Sequence, residues 1–314
     1  MSAVPHAPRP AVGIVGIGNM GLGMALRLLE QGWTVGVRDL VAQREQVARQ
    51  QGASVHADAA AVAQGRDLLI VAVVDAAQTE AVLFGQRGAV HGLTPGAAVM
   101  LCPTLAPQTV QACADRLAEQ GVGCIDAPMS GGPLRARDGS MSLMVACADA
   151  DFQRWQSLLK TLSSRLFRIG TRPGDGARTK LVNNLLAAVN LAGAAEALAL
   201  AQRIGLDPAA TLAVIEQSSG QSWIGSDRLR RALDADPAVH AHMTLLAKDS
   251  GLAMGMAAEA GLQPALGRVA AALFAQACAD GLAGEDDAAL WRWMAQAGLR
   301  RPAAPHGGAP ESAP

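Results

Sequence analysis

The chain has 314 residues, half of them apolar, and a formal net charge of −1, enough for about two domains with buried cores. So even a charge balance offers no basic face for nucleic acid or for an anionic membrane surface. Five cysteines, Cys102, Cys113, Cys124, Cys147 and Cys278, are scattered without CxxC spacing, the pattern of reduced thiols and not of a disulfide frame.

In chain order, the opening MSAVPHAPRP lacks the basic-then-apolar pattern of a secretory signal, so a cytoplasmic location is expected. Residues 1–10 and 302–314 are rich in Pro and Ala and are expected to be disordered tails. Between them, the first half alternates short apolar, β-branched runs with helical stretches. Ala11–Val15 predicts a strand, Gly21–Gln31 a helix closed by Gly32, Thr34–Arg38 a strand and Ala42–Gln51 a helix closed by Gly52. Asp67–Val74, Ala97–Cys102, Val122–Asp126, Ser142–Ala146 and Arg165–Arg168 predict further strands. Such alternation implies an α/β domain over residues 11–172, a doubly wound, mainly parallel sheet of Rossmann type with helices on both faces. After Arg172 the strand signals stop. From Ala177 to Leu299 helices are divided by Gly205 with Pro208, Gly220, Pro237, Gly261 with Pro264, Gly281 and Gly284. Residues 173–301 are therefore expected to form an all-α domain, joined to the first by a long interdomain helix. The most apolar window, Leu185–Ala201, carries Asn190 and Glu196 and predicts a buried helix, with no membrane partner.

The first strand runs into GIGNMG, Gly16 to Gly21. Gly16 permits a tight turn, Gly18 lets backbone approach a pyrophosphate, and Gly21 allows the helix to pack closely. The helix N-terminus faces the anion, and Asn19 and Met20, in the turn that leads to it, belong to the expected cofactor site. Strand before and helix after give this glycine pattern the context a dinucleotide site requires. Asp39 ends the second strand, where a carboxylate accepts from the adenosine ribose hydroxyls and repels a 2′-phosphate. NAD is therefore the expected cofactor. Arg38 could pair with a 2′-phosphate, but one residue's offset turns its side chain to the opposite face of the strand.

Two further motifs follow. DAPMSGG, Asp126 to Gly132, lies at a strand end, where open α/β sheets bind ligands. Its Ser130-Gly131-Gly132 turn either is an ordinary loop or offers backbone N–H groups and a hydroxyl to a substrate carboxylate. GDGARTKLVNN, Gly174 to Asn184, opens a long apolar helix. Lys180 and Asn184 are four apart and share a face, with Asn183 adjoining. Lys180 either snorkels to solvent or is buried, in which case burial favours its neutral form and suits it to proton transfer.

With these motifs in this order, the sequence resembles the β-hydroxyacid dehydrogenase family, the group that contains 3-hydroxyisobutyrate dehydrogenase. GIGNMGLGM matches the family's GxGxMGxxM, DAPMSGG its DAPVSGG, GDGARTKLVNN its GxGxxxKxxNN, and AKDSGLAM (Ala247 to Met254) its KDLGLA. Val74–Gly85, Ser218–Trp223 and Gly284–Leu290 are similar to one branch, the dehydrogenases of four-carbon polyhydroxy acids. The resemblance spans nearly all of residues 11–300 and implies an NAD-dependent dehydrogenase of a small hydroxy acid. It implies Lys180 as proton donor and acceptor, Ser130, Gly131 and Gly132 as the carboxylate cradle, and Asn184 as the group that orients substrate. Val73, Val74, Gln78 and Thr104 would line the cofactor's path, and Lys248 would contact the cofactor from the helical domain. The sequence departs from the family at Val73–Val74, where Leu-Pro is usual, at Pro133–Arg137, where Leu134 and Arg135 add bulk and charge, and at Ser250.

His240 and His242 have no third ligand at metal spacing, so no metal is expected. Trp223, Trp291 and Trp293 are expected to be core or interface anchors, and Asp286 with Asp287 a helix cap. The long Ala-rich helix and the family resemblance imply a homodimer or homotetramer. The other-class alternative, a non-catalytic NAD-binding protein, would have little reason to keep a buried Lys180. An imine reductase usually carries another residue there.

Overall fold

The computed structural model describes residues 10–297. Apart from Pro10, both tails expected from the composition lie outside the described residues. The first part runs β1 (Val12–Val15), α1 (Asn19–Glu30), β2 (Val35–Arg38), α2 (Ala42–Gln50), β3 (Ser54–Val55), α3 (Ala59–Ala63), β4 (Leu68–Val71), α4 (Ala76–Phe84), β5 (Ala98–Leu101), α5 (Pro107–Ala118) and β6 (Gly123–Asp126). It continues through β7 (Met129–Ser130), α6 (Gly132–Asp138), β8 (Ser142–Ala146), α7 (Asp149–Leu162), β9 (Arg165–Gly170) and α8 (Asp175–Arg203). Then come α9 (Pro208–Glu216), α10 (Trp223–Leu233), α11 (Met243–Glu259), α12 (Ala265–Ala277) and α13 (Leu290–Ala297).

The sheet order is β3-β2-β1-β4-β5-β6-β8-β7, with β9 paired to β8. Strands β3 through β6 are parallel, in the 3-2-1-4-5-6 order of a dinucleotide-binding sheet. Alternating side chains are buried on both faces. Val12, Ile14, Leu68, Ile70 and Met100 belong to one apolar cluster. Val15, Leu69, Val71, Val99 and Leu101 belong to another. Burial on both faces explains why these strands are continuous apolar runs instead of alternating ones.

Three details differ from the sequence expectation. Strands β3 and β7 are two residues long, too short to show any periodicity. Strand β8 runs antiparallel to β6 and β7. The strand expected over Asp67–Val74 stops at Val71, because Asp75 caps α4 by accepting from the Gln78 N–H.

The described residues form two compact units. One comprises the residues up to Leu185 with Lys248–Gln263; the other comprises Leu186–Ala247 with the residues from Pro264 onward. Helices α8 and α11 therefore each contribute to both. The second unit is helical, with Leu191, Leu198, Leu229, Phe274, Leu290 and Trp291 in its core. Asp286 caps a short 3-10 turn, as the sequence suggested, and buried Asp287 sits 2.7 Å from the Arg228 guanidinium. Trp291 is a core residue, whereas Trp223 is exposed.

Helix α8 is the one helix among the described residues long and apolar enough to cross a membrane, and 44% of its most apolar window is buried within the protein. It is less buried than its composition implied. Leu191, Ala195 and Leu198 are fully covered, but Val182, Leu186 and Leu200 are exposed. A 3.6-residue period gives any one core only part of a helix's circumference.

Candidate active site

The glycine turn between β1 and α1 is built by close approach. Gly16 has φ +87°, a conformation that side chains other than glycine's rarely tolerate. A Cβ on Gly21 would lie 2.0 Å from the Gly16 carbonyl oxygen, so Gly21 is dictated by the turn itself. A Cβ on Gly18 would meet only the Arg44 guanidinium, at 3.7 Å. Gly18 thus leaves open space beside the first turn of α1, where Asn19 is exposed and Met20 packs partly into the core. Open backbone at a helix N-terminus is what a pyrophosphate needs.

Asp39 follows β2. One carboxylate oxygen accepts from the Ile17 N–H at 2.7 Å and the other from the Val41 N–H at 2.8 Å. The carboxylate thereby ties the glycine turn to the end of β2. Each oxygen keeps a second lone pair for a ribose hydroxyl. Arg38 pairs with Glu45 at 2.9 Å, and the same Glu45 oxygen accepts from the Asp39 N–H at 3.0 Å. Arg44 stands 3.7 Å from the Asp39 carboxylate, a neighbour that the sequence reading missed. These residues fit a dinucleotide: an open glycine turn, a helix N-terminus and a fixed carboxylate at the second strand end.

Beyond β4, Val74 is half exposed, and its N–H donates to the Gln78 side-chain oxygen at 3.1 Å. Gln78 therefore shapes the turn that carries Val73 and Val74. After β5, the Thr104 carbonyl accepts from the Lys248 ammonium at 2.7 Å. Lys248 belongs to the unit that holds the sheet, not to the helical unit from which the resemblance had it reach.

Ser130 ends β7 and pairs with Ser142 of β8. Gly131 and Gly132 follow with φ +130° and +79°. The side of Gly132 is open, whereas a Cβ on Gly131 would strike the Arg135 stem at 2.8 Å. Helix α6, which starts here, packs on α1, where Gly23 approaches Ala136 and the Arg137 backbone.

The GDG turn before the lysine has an equally direct cause. Gly174 has φ +100°, and a Cβ on Gly176 would lie 2.6 Å from the Met144 carbonyl. Buried Asp126 accepts from the N–H groups of Gly174 at 2.7 Å and Ala177 at 3.0 Å. The first residue of DAPMSGG thus anchors the start of the lysine helix, a role not read from the sequence. Burial pushes the Asp126 carboxyl up to about 6, against the lowering effect of the backbone donors. Lys180 and Asn184 are both buried on α8, so Lys180 is not a snorkelling surface residue. The Asn184 amide donates to Asp249 at 2.6 Å and accepts from Asn183 at 3.0 Å. Nothing local marks Asp249 as a site residue; only its neighbour Lys248 falls on a position to which the resemblance assigns a role. Among the described residues, no group of three or more His, Cys, Asp or Glu could hold a metal ion.

Fold and site define a dinucleotide-binding dehydrogenase architecture with a buried lysine–asparagine pair on the helix that follows the last strand. Comparison with known proteins agrees. Residues 11–170 match the NAD binding domain of 6-phosphogluconate dehydrogenase, and residues 174–294 the NAD-binding domain of NADP-dependent 3-hydroxyisobutyrate dehydrogenase. The chain is 36% identical to L-threonate dehydrogenase of Escherichia coli strain K12 over 280 residues, covering 89% of this chain and 93% of that one. It is 31% identical to 2-(hydroxymethyl)glutarate dehydrogenase of Eubacterium barkeri over 287 residues, covering 90% and 95%. The crystal structure of 3-hydroxyisobutyrate dehydrogenase from Salmonella typhimurium superposes with a TM-score of 0.86 at 34% identity, covering 91% of this chain and all of that one. The chain belongs to the β-hydroxyacid dehydrogenase family, the relatives of 3-hydroxyisobutyrate dehydrogenase, and is an NAD-dependent hydroxy-acid dehydrogenase.

Proposed function

We propose that the protein oxidises L-threonate at carbon 2 to 2-oxo-tetronate. The observation that carries the chemistry is the buried pair Lys180 and Asn184, one helical turn apart on α8, with Asn184 held by Asp249. The preference for L-threonate rests on the 36% identity to dehydrogenases of that name. In this reading Ser130, Gly131 and Gly132 hold the substrate carboxylate through N–H groups and a hydroxyl, and Asn184 orients the reacting hydroxyl. Lys180 takes the hydroxyl proton as the carbonyl forms, and returns one in the reverse direction. When bound, the nicotinamide supplies the hydride acceptor. The chain supplies alignment and charge complementarity to the developing alkoxide. Residues 11–172 would bind NAD and residues 173–301 substrate and a second copy, in a cytoplasmic enzyme.

A 3-hydroxyisobutyrate or tartronate semialdehyde activity is the second reading, favoured by the 0.86 superposition on a 3-hydroxyisobutyrate dehydrogenase. NADH formation measured across three- and four-carbon hydroxy acids separates the two. The highest kcat/KM on L-threonate is expected. A clear preference for 3-hydroxyisobutyrate would overturn the first reading, and no turnover of any acid would favour a non-catalytic NAD-binding protein.

A further inference from the structure

A buried carboxylate is strongly unfavourable unless donors surround it. Asp249 is 6% exposed, and its two oxygens are divided between two elements. One accepts from the Asn184 amide of α8 at 2.6 Å; the other accepts from the Lys248 ammonium at 2.7 Å. Lys248 in turn donates to the Thr104 carbonyl, after β5, at 2.7 Å. One carboxylate thus joins α8, α11 and the β5 loop within a single compact unit. A carboxylate only accepts, so it obliges the Asn184 amide to turn its nitrogen toward Asp249. Asn183 meets the amide oxygen on the other side. The amide is held from both ends, and its second N–H has one direction left. Charge-assisted bonds of this length are strong and short, so the arrangement resists the amide flip that an unheld asparagine makes freely.

We infer that Asp249 is a positioning residue of the reaction: it fixes the Asn184 amide, which orients substrate, and the Lys248 ammonium, which faces the cofactor, so that two groups from different helices are held in set orientations. Asp249 acts through Asn184 and does not itself touch the reacting atoms. The inference rests on the dehydrogenase reading given above.

A double-mutant cycle on the full-length enzyme tests it, with kcat and KM read separately for the best hydroxy acid. NADH affinity is read by fluorescence titration and folding by Tm. Asp249→Ala and Asn184→Ala should each lower kcat/KM by roughly tenfold to a hundredfold, and the double variant should fall no more than about threefold below the weaker single variant, because coupled residues are not additive. Asp249→Asn, which keeps an oxygen for the Asn184 amide but loses the charge facing Lys248, should recover most of the acid's KM while still weakening NADH binding. Losses that simply multiply in the double variant, with the two single variants folded, would overturn the inference and leave the dehydrogenase reading intact. So would an Asp249→Asn variant no better than Asp249→Ala in KM. Absence of turnover by the unmodified enzyme would instead defeat the functional reading, and this inference with it.

Discussion

At the residue scale, the proposed reaction assigns a separate task to each of three side chains, and each makes a separable prediction. Lys180 is buried near the start of α8. Positioned acid–base catalysis is worth about 10²–10⁴-fold, so Lys180→Ala should lower kcat by about that factor while NADH still binds. Lys180→Arg should restore little, since a guanidinium stays protonated. Retention of more than about a tenth of kcat by Lys180→Ala would reduce the lysine to a structural role. Ser130 stands at the mouth of the two left-handed glycines. Ser130→Ala should raise KM for the acid and leave NADH affinity nearly unchanged; the reverse pattern would show that the loop faces the cofactor. Asp39 tests cofactor choice. Its Asn or Ala variant should lose preference for NADH over NADPH, read as a ratio of dissociation constants. Equal or better kcat/KM with NADP in the unmodified enzyme would refute the preference. Because Asp39 also anchors Ile17 and Val41, absolute affinity for both cofactors should fall in the Ala variant.

At the element scale, α8 is placed by its first turn. Asp126 gathers the N–H groups of Gly174 and Ala177 on one oxygen, and Gly176 lets the helix start against the β8 backbone. Burial raises the Asp126 carboxyl from 3.8 to about 6, so folding takes up a proton between those values. Its stabilising contribution is complete below about pH 4 and is lost as pH rises toward 6. Asparagine at this position can present one oxygen to both N–H groups but does not titrate. The Tm of the unmodified protein, measured relative to Asp126→Asn, should therefore fall between pH 4 and pH 6. A constant difference across that window would show that the carboxyl does not titrate there.

Taken whole, the molecule leaves apolar surface uncovered. Leu200, Val214, Leu266 and Val269, all in the helical unit, are more than half exposed. Scattered apolar side chains are ordinary on a surface, but this unit is small, and a second copy is the expected cover. Light scattering at micromolar concentration should give a dimer or tetramer; a monomer would overturn that expectation. Trp291 can have no part in such an interface, since it is already in the core.

The residues that meet a backbone constraint were legible from the sequence. Gly16 and Gly21 fix a strand–turn–helix, and Gly131, Gly132, Gly174 and Gly176 sit in loops whose backbone conformation or close approach favours glycine. These signals are local, because each depends on a few bonds of the same chain. Lys180 with Asn184 was legible for the same reason, through helical periodicity. What the sequence could not show depends on contacts between distant segments. Asp126 lies 48 positions from Gly174, and Asp249 lies 65 from Asn184. Nothing along the chain marks either carboxylate as the one buried acceptor for those donors. Strands β3 and β7 exist only because a neighbouring strand supplies their hydrogen bonds, and α8's buried face is set by what packs on it, not by its composition. Local backbone geometry was written in the sequence; the pairing of buried charges, and with it the orientation of the site, was decided by the tertiary fold, because a buried carboxylate persists only where folding brings its donors.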